Sequence, residues 1–196
     1  MMNGTRFALR ATGIGCLALL LGGCLTPLDP APTDILDERT GNTYTTVAQP
    51  LVFARRRMDL AANAREYATV VAARLNHAGR YATYLLVYRW ATPEVRPADL
   101  PLASQGRVRF VTDGGEIAFT PLDATLAAEV LRAEPAAPRT PVKQAWAYAA
   151  DAATLRRLAA AHALQLQFPD ETAGDIFELW ADGRAALAAF AAGDGG

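Results

Sequence analysis

Tyr81-Ala82-Thr83-Tyr84-Leu85-Leu86-Val87-Tyr88-Arg89-Trp90 is the stretch on which the fold turns. Aromatic and aliphatic residues dominate it and neither glycine nor proline interrupts it, so it reads as a strand. Successive strand side chains point to opposite faces. Tyr84, Leu86, Tyr88 and Trp90 therefore share one face, and Tyr81, Thr83, Leu85, Val87 and Arg89 the other. Both faces are mostly apolar, which predicts a central strand covered on both sides.

Upstream, Asn76-His77-Ala78-Gly79 reads as a turn. The stretch before it admits two readings. Leu60, Ala64, Tyr67 and Val71 fit a helical stripe, whereas Tyr67-Ala68-Thr69-Val70-Val71 fits a strand. A turn leading into a strong strand favours a strand from Glu66 to Leu75. Further back, Thr43 to Val47 and Leu51 to Ala54 predict two short strands with a turn at Pro50 between them.

Downstream, Pro93, Pro97 and Pro101 mark a surface loop. Asp113-Gly114-Gly115 between Arg107–Thr112 and Glu116–Thr120 is a hairpin signal, since glycine supplies the positive φ of a tight turn. Leu122 to Leu131 predicts a short helix with Asp123 near its start. Pro135, Pro138 and Pro141 form a linker, so residues 133–141 are where a subdivision would fall. Then follow a strand from Val142 to Ala149, a helix capped by Asp151, strands over Ala163–Phe168 and Ile176–Trp180, and a helix from Arg184 to Ala192. Residues 193–196 read as a loose tail. The expected fold is α+β, an antiparallel or mixed sheet built from hairpins with two or three helices packed on it. A β-sandwich is the alternative.

The N-terminus carries different information. Arg6 and Arg10 precede an apolar run from Ala11 to Leu21. That run is shorter than the roughly 20 residues a membrane-spanning helix needs, but it suits a secretory signal. It ends in Leu21-Gly22-Gly23-Cys24, which resembles the lipobox of bacterial lipoproteins. The resemblance implies diacylation of the Cys24 thiol, cleavage of residues 1–23 and acylation of the new amino group. Multiple acyl chains anchor stably where a single one holds marginally. Leu25, rather than aspartate, follows the cysteine; by the sorting rule of enteric bacteria that implies the outer membrane facing the periplasm, with the periplasmic side of the inner membrane as the alternative. Residues 24–41, rich in proline and aspartate, read as an extended tether. The globular domain is expected over residues 42–192.

Cleavage leaves 173 residues carrying 17 basic and 20 acidic side chains, with no bias toward nucleic acid. Once Cys24 is acylated and Cys16 removed, no thiol remains for catalysis or a disulfide. Ser104 is the sole serine and lies in a proline-rich loop, outside any Gly-x-Ser-x-Gly turn. His77 and His162 are the only histidines and form no His-Glu-x-x-His pair. No metal or cofactor is implied. Asp113, Glu116, Asp170, Glu171 and Asp175 are the acids that a carboxylate-dependent hydrolase would draw on, though Asp170 to Asp175 lack the calcium-loop pattern. Arg55-Arg56-Arg57 is the one basic cluster and a candidate for binding anionic groups, because guanidinium meets phosphate and carboxylate bidentately. Tyr84, Tyr88 and Trp90 are candidates for a ligand groove, with Trp146 and Trp180 further along the chain.

Asp37-Glu38-Arg39-Thr40-Gly41, Pro50-Leu51-Val52-Phe53-Ala54-Arg55 and Asn63-Ala64-Arg65-Glu66-Tyr67 together resemble a group of proteobacterial lipoproteins without an assigned activity. The likeness covers about the first third of the mature domain and transfers no functional residue. The expectation is a non-enzymatic accessory or binding subunit of a cell-envelope assembly, attached to the membrane by its acyl chains and partnered by an envelope protein. Lipid or glycan binding and an envelope hydrolase are the alternatives.

Overall fold

A computed structural model describes residues 31–99, 106–169 and 176–193. At its centre β4 (Arg65–His77) pairs antiparallel with β5 (Arg80–Ala91), from Glu66 opposite Ala91 to His77 opposite Arg80. The two-residue loop between them has positive φ at Ala78 (51°) and Gly79 (81°). Loops of that handedness match the twist of the flanking strands. The helical reading of residues 59–75 gives way because β4 has strand partners on both edges: β5 on one, β2 (Asn42–Thr46) and β3 (Leu51–Arg56) on the other.

β2 and β3 do not form a pair about a turn. They lie in line along the same edge of β4, Thr46 opposite Ala73 and Leu51 opposite Val70. Residues 47–50 thus face only residues 71 and 72, a bulge in which the Val47 N–H still donates to the Ala72 carbonyl at 3.1 Å. Pro50 has no N–H to continue the ladder. The break re-aims the strand, and the sheet forks there. β1 (Thr33–Asp37) adds to β2, and β10 (Ile176–Ala181) adds to β3.

β1 replaces part of the tether expected over residues 24–41, of which residues 24–30 lie outside the described residues. The proline-rich composition gives way at Thr33 to Ile35-Leu36, and Ile35 packs against the core. Asp37 closes the following turn, accepting from Thr40 Oγ1 at 2.7 Å and from the Arg39 N–H at 3.1 Å.

β6 (Val108–Thr112) and β7 (Gly115–Phe119) form the expected hairpin, β8 (Gln144–Ala149) joins the free edge of β5, and β9 (Leu164–Gln167) lies between β6 and β10. The main path is β8-β5-β4-β3-β10-β9-β6-β7, and every pairing among the described residues is antiparallel. It curls into a half-barrel. Edge-to-face ring contacts run Phe53–Phe110–Phe119–Tyr148 at 5.8–6.0 Å, linking β3, β6, β7 and β8, so side chains from both ends of the path meet inside.

Among the described residues three α-helices complete the fold, giving an α+β protein in its broad plan. Asp123 caps α1 (Ala124–Leu131), accepting from the Thr125 and Leu126 N–H groups at 3.0 Å. α1 lies against β8, and the segment after it packs Ala133, Ala136 and Ala137 onto the same core. α2 (Ala152–Ala160), capped by Asp151, packs on α3 (Arg184–Ala192) and buries Leu155, Leu158, Leu187 and Phe190.

Candidate functional site

Strand alternation divides Arg55-Arg56-Arg57. Arg55 turns into the half-barrel and is buried, Arg56 points out from the opposite face, and Arg57 follows the strand end. Arg55 meets the fully buried Glu66 side-on, Nε donating to Oε2 at 3.2 Å and Nη2 to Oε1 at 3.1 Å. Nη1 of Arg57 and Nη2 of Arg89 also donate to Glu66. Arg57 reaches back to Asp59 at 2.8 Å and to the Asp99 carbonyl at 2.9 Å; its guanidinium holds the Asp59 carboxyl below the ordinary aspartate range. Arg55 and Arg89 lie over the Phe177 ring at 5.0 and 5.5 Å. One carboxylate thus organises three guanidiniums and fastens β3, β4 and β5 together at one end of the half-barrel.

Across β3, β4 and β10, on the face opposite the Glu66 side chain, is an open cleft of about 420 Å3, within the roughly 300–1,000 Å3 of small-molecule sites. Register explains it. Tyr67 lies opposite Ala54 and Ala54 opposite Glu178, so a methyl group forms the floor between large side chains. In the next row Arg56 lies directly opposite Arg65. Trp180, 59% exposed, forms the far wall with Ile176. The Arg65 guanidinium lies 5.1 Å over the indole of Trp180, and Tyr67 meets that indole edge-on at 6.1 Å. Behind this wall Tyr67 stacks on Trp90, centroids 4.1 Å apart and planes 10° apart, while Trp90 Nε1 donates to Thr69 Oγ1 at 3.0 Å. Among the described residues no carboxylate pairs with Arg56 or Arg65, and Glu178 is paired with no cation.

The three aromatics expected to line a groove separate. Tyr84 and Tyr88 are buried, and the Tyr88 hydroxyl donates to the Pro135 carbonyl at 3.1 Å. Trp90 alone of the three reaches the aromatic row behind the cleft. Trp146 tilts against Phe168 at 5.6 Å. His77 Nδ1 meets Asn42 Oδ1 at 2.8 Å. Asp113 accepts from the backbone N–H groups of His162 and Ala163, and Glu116 pairs with Arg109 at 3.2 Å. Among the described residues no three of His, Cys, Asp and Glu gather as metal ligands. Cys24, Ser104, Asp170, Glu171 and Asp175 lie outside the described residues.

Arg65 and Glu178 are the charged cleft residues that the sequence did not single out. Both carry a signal in the period of two. Arg65 shares a face with Tyr67, and Glu178 stands between Ile176 and Trp180 on the face opposite Phe177 and Leu179. No family model, curated protein or solved structure matches this chain.

Proposed function

We propose that this protein is a lipid-anchored lipoprotein of the cell envelope, held by Cys24 at the periplasmic side of the outer membrane, and that it acts without catalysis by binding an envelope component in the Ala54 cleft. The observation that carries the binding role is the cleft itself: two guanidiniums opposed on neighbouring strands, beside an exposed indole. The location rests on the resemblance of Leu21-Gly22-Gly23-Cys24 to a lipobox. The absence of catalysis is supported by how the described acids are used. Asp123 and Asp151 cap helices, Glu66 holds three arginines, and Asp99 and Asp182 pair with Arg96 and Arg184.

The test is a photoreactive amino acid placed at Trp180 in the full-length chain, followed by crosslinking in intact cells and mass spectrometry. An envelope component is captured from position 180 and not from Tyr81, which is also exposed but lies on the β4–β5 hairpin. Identical products from both positions would overturn the cleft as binding site. Cys24→Ser is expected to move the protein from the membrane to the soluble periplasmic fraction, and hydrolysis of envelope polymer by purified protein would overturn the non-catalytic role.

A further inference from the structure

We propose that the ligand of the Ala54 cleft is an anionic saccharide: a sugar ring lying against Trp180, with a phosphate or carboxylate gripped by Arg56 and Arg65. This rests on the reading of the cleft as the binding site and names the class of molecule it takes.

Three features converge. The first is the Arg56–Arg65 pair. Like charges directly opposite on neighbouring strands destabilise a sheet. Here neither guanidinium has a carboxylate partner among the described residues, so the repulsion is left for something outside them to offset. Two adjacent forks also match one oxyanion better than two separate charges do, because each guanidinium presents parallel N–H donors.

Glu178 is the second feature. It stands one row away on the same face. A carboxylate beside the arginines weakens the site for bare or densely charged anions such as polyphosphate. It accepts hydrogen bonds, so it favours a ligand that brings hydroxyl donors together with its negative charge.

The third is the wall of Trp180 and Ile176, exposed by 59% and 39%. Arg65 covers part of the indole, and the rest offers a flat apolar surface to the C–H face of a ring. A floor made by Ala54 leaves depth for that ring. Negative charge, hydroxyl donors and an apolar ring face describe a uronic acid, or a sugar carrying phosphate.

The experiment uses the full acylated chain in phosphatidylcholine vesicles, with calorimetric titration of glucose 6-phosphate, glucuronic acid, glucose and inorganic phosphate. The two acidic sugars are expected to bind about tenfold or more tightly than glucose or phosphate, the scale of one charge-assisted hydrogen bond. Arg65→Gln and Arg56→Gln each remove that margin. Glu178→Gln weakens the acidic sugars and strengthens inorganic phosphate. Circular dichroism verifies folding, and Arg56, exposed at the end of β3, provides the variant least able to disturb it. A second set of vesicles contains lipid A, a phosphorylated glycolipid. A weaker apparent affinity for glucose 6-phosphate there identifies a membrane glycolipid as the source of the saccharide; an unchanged affinity identifies a free one.

Inorganic phosphate binding as tightly as the sugar phosphate would overturn the proposal, as would arginine variants that bind normally. If no sugar binds but a probe at position 180 still captures an envelope protein, the ligand class fails and the binding surface stands. If neither occurs, both fail.

Discussion

At the scale of single residues, Glu66 and Arg56 make opposite predictions. Glu66 has no exposed surface and compensates three guanidiniums, of which Arg55 and Arg89 are buried. Removing one partner from a buried ion pair strands the other and costs about 3–5 kcal/mol. Glu66→Gln keeps the shape and loses the charge, so it is expected to destabilise by about that amount. Urea denaturation will read this as a lower midpoint with an unchanged slope. Arg56 faces Arg65 instead. Arg56→Gln relieves a like-charge pair, so the same measurement should show no loss and a gain of about 0.2–1 kcal/mol, while ligand binding falls. A residue that weakens the fold and serves a ligand has the signature of function. The basic run at Arg55–Arg57 was legible in the sequence, but what each arginine does was not. Alternation alone sends Arg55 and Arg56 to opposite faces. The residues that register sets beside them, Glu66, Arg65 and Glu178, come from strands whose pairing no local pattern specifies.

At the scale of elements, punctuation decides. The α3 N-terminus begins at Gly183, where an added Cβ would lie 2.4 Å from the Gln49 carbonyl oxygen and 2.6 Å from that of Pro50. Both are backbone atoms of the bulge between β2 and β3, and neither can swing away. Gly183→Ala is therefore expected to cost about 1–3 kcal/mol by overpacking, visible as a lowered thermal midpoint. Asp151 accepts from the Thr154 N–H at 2.6 Å, and that bond holds its carboxyl below the ordinary aspartate value of 3.8. A depressed pKa means the stabilisation is fully present above the ordinary value and is lost as pH falls through the folded one. Asp151→Ala should cost about 1 kcal/mol at neutral pH, and the difference from the parent should vanish in strong acid. Denaturation curves of the two proteins at several acidic pH values measure this. Helix caps and the tight hairpin turns were readable because their signals are a few residues long. The in-line placement of β2 and β3 was not, since Pro50 announces a break without saying whether the chain reverses or continues.

At the scale of the whole molecule, patterns of period 2 and 3.6 carried the reading as far as an α+β fold with an antiparallel or mixed sheet and two or three helices, while the strand order did not follow from them. Closing β10 between β3 and β9 joins segments more than a hundred residues apart, and only complementary interior side chains select that pairing. How firmly the two ends of the curled sheet meet can be tested through tyrosines. Tyr148, on β8, donates to the Gly106 carbonyl at 2.5 Å and packs on Phe119 of β7. Tyr88, on the adjoining β5, donates to Pro135. Burial raises both phenols well above the ordinary value of 10.0. A raised pKa stabilises the neutral form, so the contribution is complete below 10.0 and is lost as pH climbs past it. Each buried tyrosine that ionises only on unfolding removes up to about 1.4 kcal/mol per pH unit above that point. Followed by absorbance, phenolate from Tyr88 and Tyr148 should form together with the loss of circular dichroism, in one cooperative step. Tyr148→Phe lowers neutral stability by about 1–3 kcal/mol, because the Gly106 carbonyl loses its donor, yet it should also flatten the alkaline pH dependence by removing one titrating group. If Tyr148 instead ionises while the dichroism is intact, water reaches between β7 and β8 in the folded state, and the half-barrel is open where the Phe119–Tyr148 contact places its seam; Tyr88, whose side chain lies on the other face of the sheet against Pro135, serves as the control.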